Sequence, residues 1–180
     1  MKFFNTFLAT VFVALVGVVC TMAQTSDQVI SAIQSFITVS SNLNAQVTPL
    51  SVTTFPTMGF VIAQGFNNIT SAVNTFNADS EFSPATPAYP DDAAVAVVDV
   101  LTTFVQVHQA LLNVVIGKHS LAAMFGATAP IAAALRALEA VVDTFAFDLI
   151  ALIPTESDPA TAQVDALSVT FTNATTTYDS

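Results

Sequence analysis

Residues 141–154 read VVDTFAFDLIALIP, a run apolar on nearly every side, broken by Asp143 and Asp148 and closed by Pro154. Followed back to Ile131, it predicts one long helix between Pro130 and Pro154. At helical spacing Leu138, Val141, Val142, Phe145 and Leu149 form a broad core face. The opposite stripe starts polar at Arg136, Glu139 and Asp143, then continues into Phe147 and Ile150. Charges at Arg136, Glu139, Asp143 and Asp148 argue against a lipid-spanning segment. Two readings remain. A helix apolar all round is the central member of its bundle. Alternatively, Phe147 and Ile150, with Met124 and Phe125 of the preceding loop, line a ligand cavity or an exposed patch.

The flanking chain predicts four more helices. Val29, Ile33, Phe36, Ile37, Ser40, Leu43 and Val47 share one stripe, and Thr25 with Gln28 has capping-box spacing. Met58, Ile62, Phe66, Ile69, Val73 and Phe76 repeat at three and four. The segment at 77–92, with Pro84, Pro87 and Pro90, reads as an extended crossover. Asp91 or Asp92 then caps a helix whose stripe runs from Val95 and Val98 through Leu101, Phe104, Val105, His108, Leu111 and Leu112 to Val115. It ends near Gly117, with Lys118 beside the negative end of its dipole. Residues 119–130 allow a short helical turn, and Val164, Leu167, Phe171, Ala174 and Tyr178 mark the fifth helix. No stretch sustains the alternation of strands, so the fold is expected to be all-α: an up-and-down bundle of about five helices without disulfides.

Met1-Lys2, an apolar run from Phe3 to Cys20 and the small-residue site before Gln24 compose a secretory signal peptide over residues 1–23. The remaining 24–180 form one domain, secreted and extracellular, with no second stretch expected to span a bilayer. Cys20, the one cysteine, lies in the signal, which excludes thiol catalysis and thiolate metal sites from the mature chain. Beyond the signal Lys118 and Arg136 face thirteen acids, a net charge of −11 that repels nucleic acid and anionic headgroups.

Hydrolase, nucleotide and metalloprotease motifs are absent, so no cofactor, no metal and no enzymatic activity are expected. His108 on an apolar stripe reads as a core histidine satisfied by one hydrogen bond, and His119 as a cap. Glu139 and Asp143 read as a solvated stripe with Arg136 pairing to Glu139. A hydrolase built around His108 and Glu139 is the weakest alternative. Asn68-Ile69-Thr70 and Asn173-Ala174-Thr175 are glycosylation sequons.

The acidic, exported, thiol-free chain, with LLNVVIGKHSLAAMFGATAPIAAALRALEAVVDTFAFDLIALIP from Leu111 to Pro154, resembles the fungal hydrophobic surface-binding protein A family, which includes cell-wall galactomannoproteins. The resemblance implies a small helical bundle that binds hydrophobic surfaces or fatty acids and recruits secreted cutinase- or lipase-type hydrolases. It also implies an alternative role as a structural or antigenic cell-wall mannoprotein. Wall-anchored relatives continue into a Ser/Thr-rich stalk, whereas this chain stops at Ser180, so free secretion is the expectation.

Overall fold

The computed structural model describes residues 24–79 and 86–180, so the signal peptide expected at 1–23 and Pro84 lie outside the described residues. Seven α-helices are found among them: α1 (Ser26–Val47), α2 (Phe55–Met58), α3 (Phe60–Asp79), α4 (Asp91–Gly117), α5 (His119–Met124), α6 (Thr128–Leu152) and α7 (Ser157–Tyr178). A short 3-10 turn, Pro154–Glu156, links the last two. The five long helices are those anticipated, and no strand occurs among the described residues.

Direction follows from the ties at the two ends. Tyr89, just before α4, donates its backbone N–H to Leu152 O at the end of α6 and its hydroxyl to Gln24 O at the start of α1. At the other end Lys118 Nζ donates to Thr48 O and Leu50 O, both at 2.8 Å, and Tyr178 donates its hydroxyl to Val115 O at 2.7 Å. Thus α1, α4 and α7 run one way as a layer with α4 in the middle, and α3 and α6 run the other way beneath it. Packing pairs α1 with α4, α4 with α7, α7 with α6, α6 with α3 and α3 with α1, which closes a ring of five.

Local chemistry explains the boundaries. Thr25 and Gln28 close the capping box of α1, Gln28 N donating to Thr25 Oγ1 and Thr25 N to Gln28 Oε1. Asp91 and Asp92 are not caps: Pro90 occupies that position and the two acids fill the first turn, where they still answer the dipole. Pro130 falls inside the first turn of α6, which tolerates its missing N–H, so that helix starts at Thr128 rather than after the proline. Met58 belongs to α2 and is exposed, while α3 runs on to Asp79, past the start expected for the crossover. The buried face of α4 begins at Ala94 and Val97, leaving Val95 exposed; the register at its start is one residue off the stripe read from spacing.

Among the described residues α4 is the one helix long and apolar enough to cross a membrane. Its apolarity serves the core, because α4 is flanked by α1 on one side and α7 on the other. In this ring neither helix is central: α6 packs between α3 and α7 as α4 packs between α1 and α7, and both keep an outer face. Close approach of α1 and α3 depends on Gly65, where a Cβ would overlap the buried Leu43 side chain. Gly65→Ala is expected to lose about 1–3 kcal/mol by overpacking. Gly117→Ala, with open space around the new methyl, should gain about 0.5–1 kcal/mol. Urea midpoints of the two variants check the contrast.

Candidate ligand site

Each long helix sends one phenylalanine to the middle of the ring. Phe36 of α1 meets Phe76 of α3, Phe104 of α4 and Phe145 of α6 edge-on, with centroids 6.1, 6.5 and 5.8 Å apart. Phe76 and Phe145 close the far side at 5.7 Å. Phe171 of α7 joins through His108, whose ring lies 5.5 Å from Phe171 and 5.1 Å from Phe104. Edge-to-face pairs add about 0.5–1.5 kcal/mol each beyond their buried area, so this layer is a strong and oriented filling.

Beside it, between α4, α6 and α7, lies a cavity of about 10 Å³ walled by Leu101, Phe104, Val142, Phe145, Leu167 and Phe171, with Asp143 and Ser168 at its edge. That is room for roughly one water and for no larger body. An open groove of about 420 Å³ between α1 and α3, lined by Phe36, Phe76, Ala32 and Ala72, reaches the same aromatic layer from the other side.

His108 and Ser40 are the buried polar residues of the described core. Ser40 Oγ lies 3.1 Å from His108 Nδ1, and His108 Nε2 is buried with no hydrogen-bond partner. The expected single hydrogen bond is there; the empty second nitrogen costs about 1–3 kcal/mol of unrecovered desolvation. Burial pushes the imidazole down to about 4, so it is neutral at pH 7. Glu139 and Asp143 are both held above the usual carboxylate range by burial, Glu139 also by the neighbouring Asp143. Arg136 does not pair with Glu139; it reaches Asp179 beyond the end of α7. His119 is not a cap: it opens α5 with its ring edge-on to Tyr178, 5.1 Å away. No group of three or more His, Cys, Asp or Glu side chains placed to hold a metal occurs among the described residues.

The four residues expected at a ligand site do not come together. Met124 (63% exposed) and Phe125 (40%) sit where α5 gives way to α6, while Phe147 (77%) and half-buried Ile150 lie near the far end of α6, about 30 Å along the helix at 1.5 Å per residue. Phe125 instead stacks on Phe55, centroids 5.5 Å apart, and lines an open groove of about 410 Å³ with Pro56, Gly59, Phe60 and Pro130. Phe60 is 65% exposed, and Met58 and Val52 are exposed at the same end. No Asp, Glu, Lys or Arg occurs from residue 28 to 78 or from 119 to 135, so this end is uncharged apart from Lys118 and the Arg136–Asp179 pair. Asp27, Asp91, Asp92, Glu156 and Asp158 gather at the opposite end, on the N-termini of the three parallel helices. Asn68 and Asn173 are exposed on outer helix faces.

Two solved structures share this fold over their whole length. One is Afmp4p in complex with palmitic acid, with a TM-score of 0.76 and 15% identity, matching 86% of this chain and 99% of that one. The other is ligand-binding domain 1 of the Penicillium marneffei MP1 protein complexed with arachidonic acids, with a TM-score of 0.75, 12% identity and the same two coverages. No family model matches the chain. No curated protein matches it in sequence. The common ground is therefore the bundle itself.

His108 also makes stability depend on pH. Its folded value of about 4 lies below the ordinary 6.5, so the unfolded chain takes up the proton first. The contribution of His108 is whole above pH 6.5, falls as pH drops through that window, and levels off below about 4. Urea unfolding of the wild type and of His108→Leu is expected to show their difference in stability shifting by about 3 kcal/mol, against the wild type, between neutral pH and about pH 4. Titration of Glu139 and Asp143 is common to both proteins and cancels.

Proposed function

We propose that this protein is a secreted, non-enzymatic binder of single-chain, fatty-acid-like lipids, which it holds inside the helical ring. One observation carries the reading: the same bundle, matched from end to end, is found in two complexes with fatty acids. The interior agrees with it. Aside from Ser40 and His108 the described core is apolar, and its middle is filled by aromatic rings that can turn aside for a chain. No disulfide ties the helices, because the sequence has a single cysteine. With palmitic acid in hundredfold excess over its Kd, the melting temperature should rise by about 5–10 °C, and native mass spectrometry should show the added mass of one or more acyl chains. No shift with saturated or unsaturated acids of any length would end this reading.

The exposed apolar end favours a second mode of contact, adsorption to hydrophobic surfaces with the acidic end turned to solvent. A protein oriented in this way would leave its charged end free to meet secreted cutinase- or lipase-type hydrolases. Phe60→Ser with Met124→Ser removes two exposed side chains that gain about 1.5–3 kcal/mol each on leaving water. The double variant should adsorb to alkylated beads at least tenfold more weakly while keeping its melting temperature. Exposure of Asn68 and Asn173 supports a glycoprotein, and retention in the wall fraction rather than the medium would favour the mannoprotein role.

A further inference from the structure

His108 uses one of its two ring nitrogens. Nδ1 faces Ser40 of α1 at 3.1 Å, and Nε2, fully buried, has no partner. Nδ1 is turned to α1, and the ring of Phe171 of α7 lies 5.5 Å from the imidazole. Phe171 and Phe104, which bracket the imidazole, are also walls of the cavity between α4, α6 and α7. His108 is one turn further along α4 than Phe104 and Val105, so it stands just past the end of that cavity. An unpaired buried nitrogen next to an apolar slot in an otherwise apolar core calls for a ligand with one polar end.

We infer that His108, oriented by Ser40, anchors the carboxyl end of the bound lipid, so that the protein selects free acids over their esters. The inference rests on the lipid-binding reading above and deepens it. A carboxyl group fits either tautomer. If the Ser40 hydroxyl donates to Nδ1, the hydrogen resides on Nε2, which donates to a carboxylate oxygen, a charged acceptor stronger than an ester carbonyl. If Nδ1–H donates to Ser40, the Nε2 lone pair accepts from the acid's O–H. A methyl ester keeps the acceptor and loses the donor, and an alkane offers neither. The tail then runs between Phe104 and Phe171 into the space beside Leu101, Val142 and Leu167.

Competition with a fluorescent fatty acid, using palmitic acid and methyl palmitate as probes, tests the anchor. The wild type should prefer the acid at least tenfold. His108→Leu, with folding checked by circular dichroism, should lower that ratio to within about twofold while ester affinity holds, and His108→Gln, whose amide oxygen can accept from the acid's O–H, should recover part of the preference. On the unaltered protein, nitrogen NMR should show the Nε2 resonance of His108 shifting with palmitic acid and not with the ester, a response that simple packing would not give. A ratio unchanged by His108→Leu, or an Nε2 signal indifferent to palmitic acid that is demonstrably bound, overturns the anchor and leaves lipid binding standing. Failure of the wild type to take up either probe overturns both.

Discussion

A ring of five helices leaves a space along its axis that no backbone can fill, and everything else in this structure depends on how that space is closed. One phenylalanine from each long helix turns toward it; the edge-on contacts around Phe36 tie α1, α3, α4 and α6 at a common level, and Phe171 of α7 joins through His108. Because the plug is made of side chains and not of crosslinks, it is the part of the core that can be exchanged for another apolar body of similar width. The small residual cavity beside it and the open groove above it mark the two seams where such an exchange would start.

The arrangement of charge follows from helix direction. Three parallel helices put three positive dipole ends on one face of the bundle, and the acids cluster there. Their negative ends lie together at the opposite face, where the sequence supplies two cations and spends both internally. Lys118 closes the carbonyls that follow α1, and Arg136 holds Asp179 at the end of α7. What is left at that end is an uncharged cap of Phe, Met and Val.

Much of the fold could be read from the residues because its signals are local. The capping box of Thr25 and Gln28, the stripes of α1 and α7, and the lower half of the α4 face all act within one helix. The errors arose where another element decides. Val95 gives way to Ala94 and Val97 because the start of α4 is set by its neighbours in the layer. Lys118 answers α1 and not its own helix, and Arg136 chooses Asp179, forty-three residues away, over Glu139 one turn along. The ligand site was harder still. Phe147 and Ile150 lie on α6 far from Met124 and Phe125, since a helix of that length carries its two ends to opposite poles. The aromatic plug was hidden in plain sight: Phe36, Phe76, Phe104, Phe145 and Phe171 each stood on a helical stripe, yet nothing in spacing alone says that four of the rings meet and that His108 joins the fifth to them.

The internal use of both cations has a consequence for how the molecules behave in crowds. With Lys118 bonded to carbonyls and Arg136 paired to Asp179 at one end, each molecule presents its fellows a mostly anionic surface, so at neutral pH they repel one another. Added salt screens this repulsion while the apolar pole is unaltered. The expected outcome is pole-to-pole pairing that sets in with salt and dissolves again on dilution, a reversible association governed by the surroundings rather than by any change in the fold.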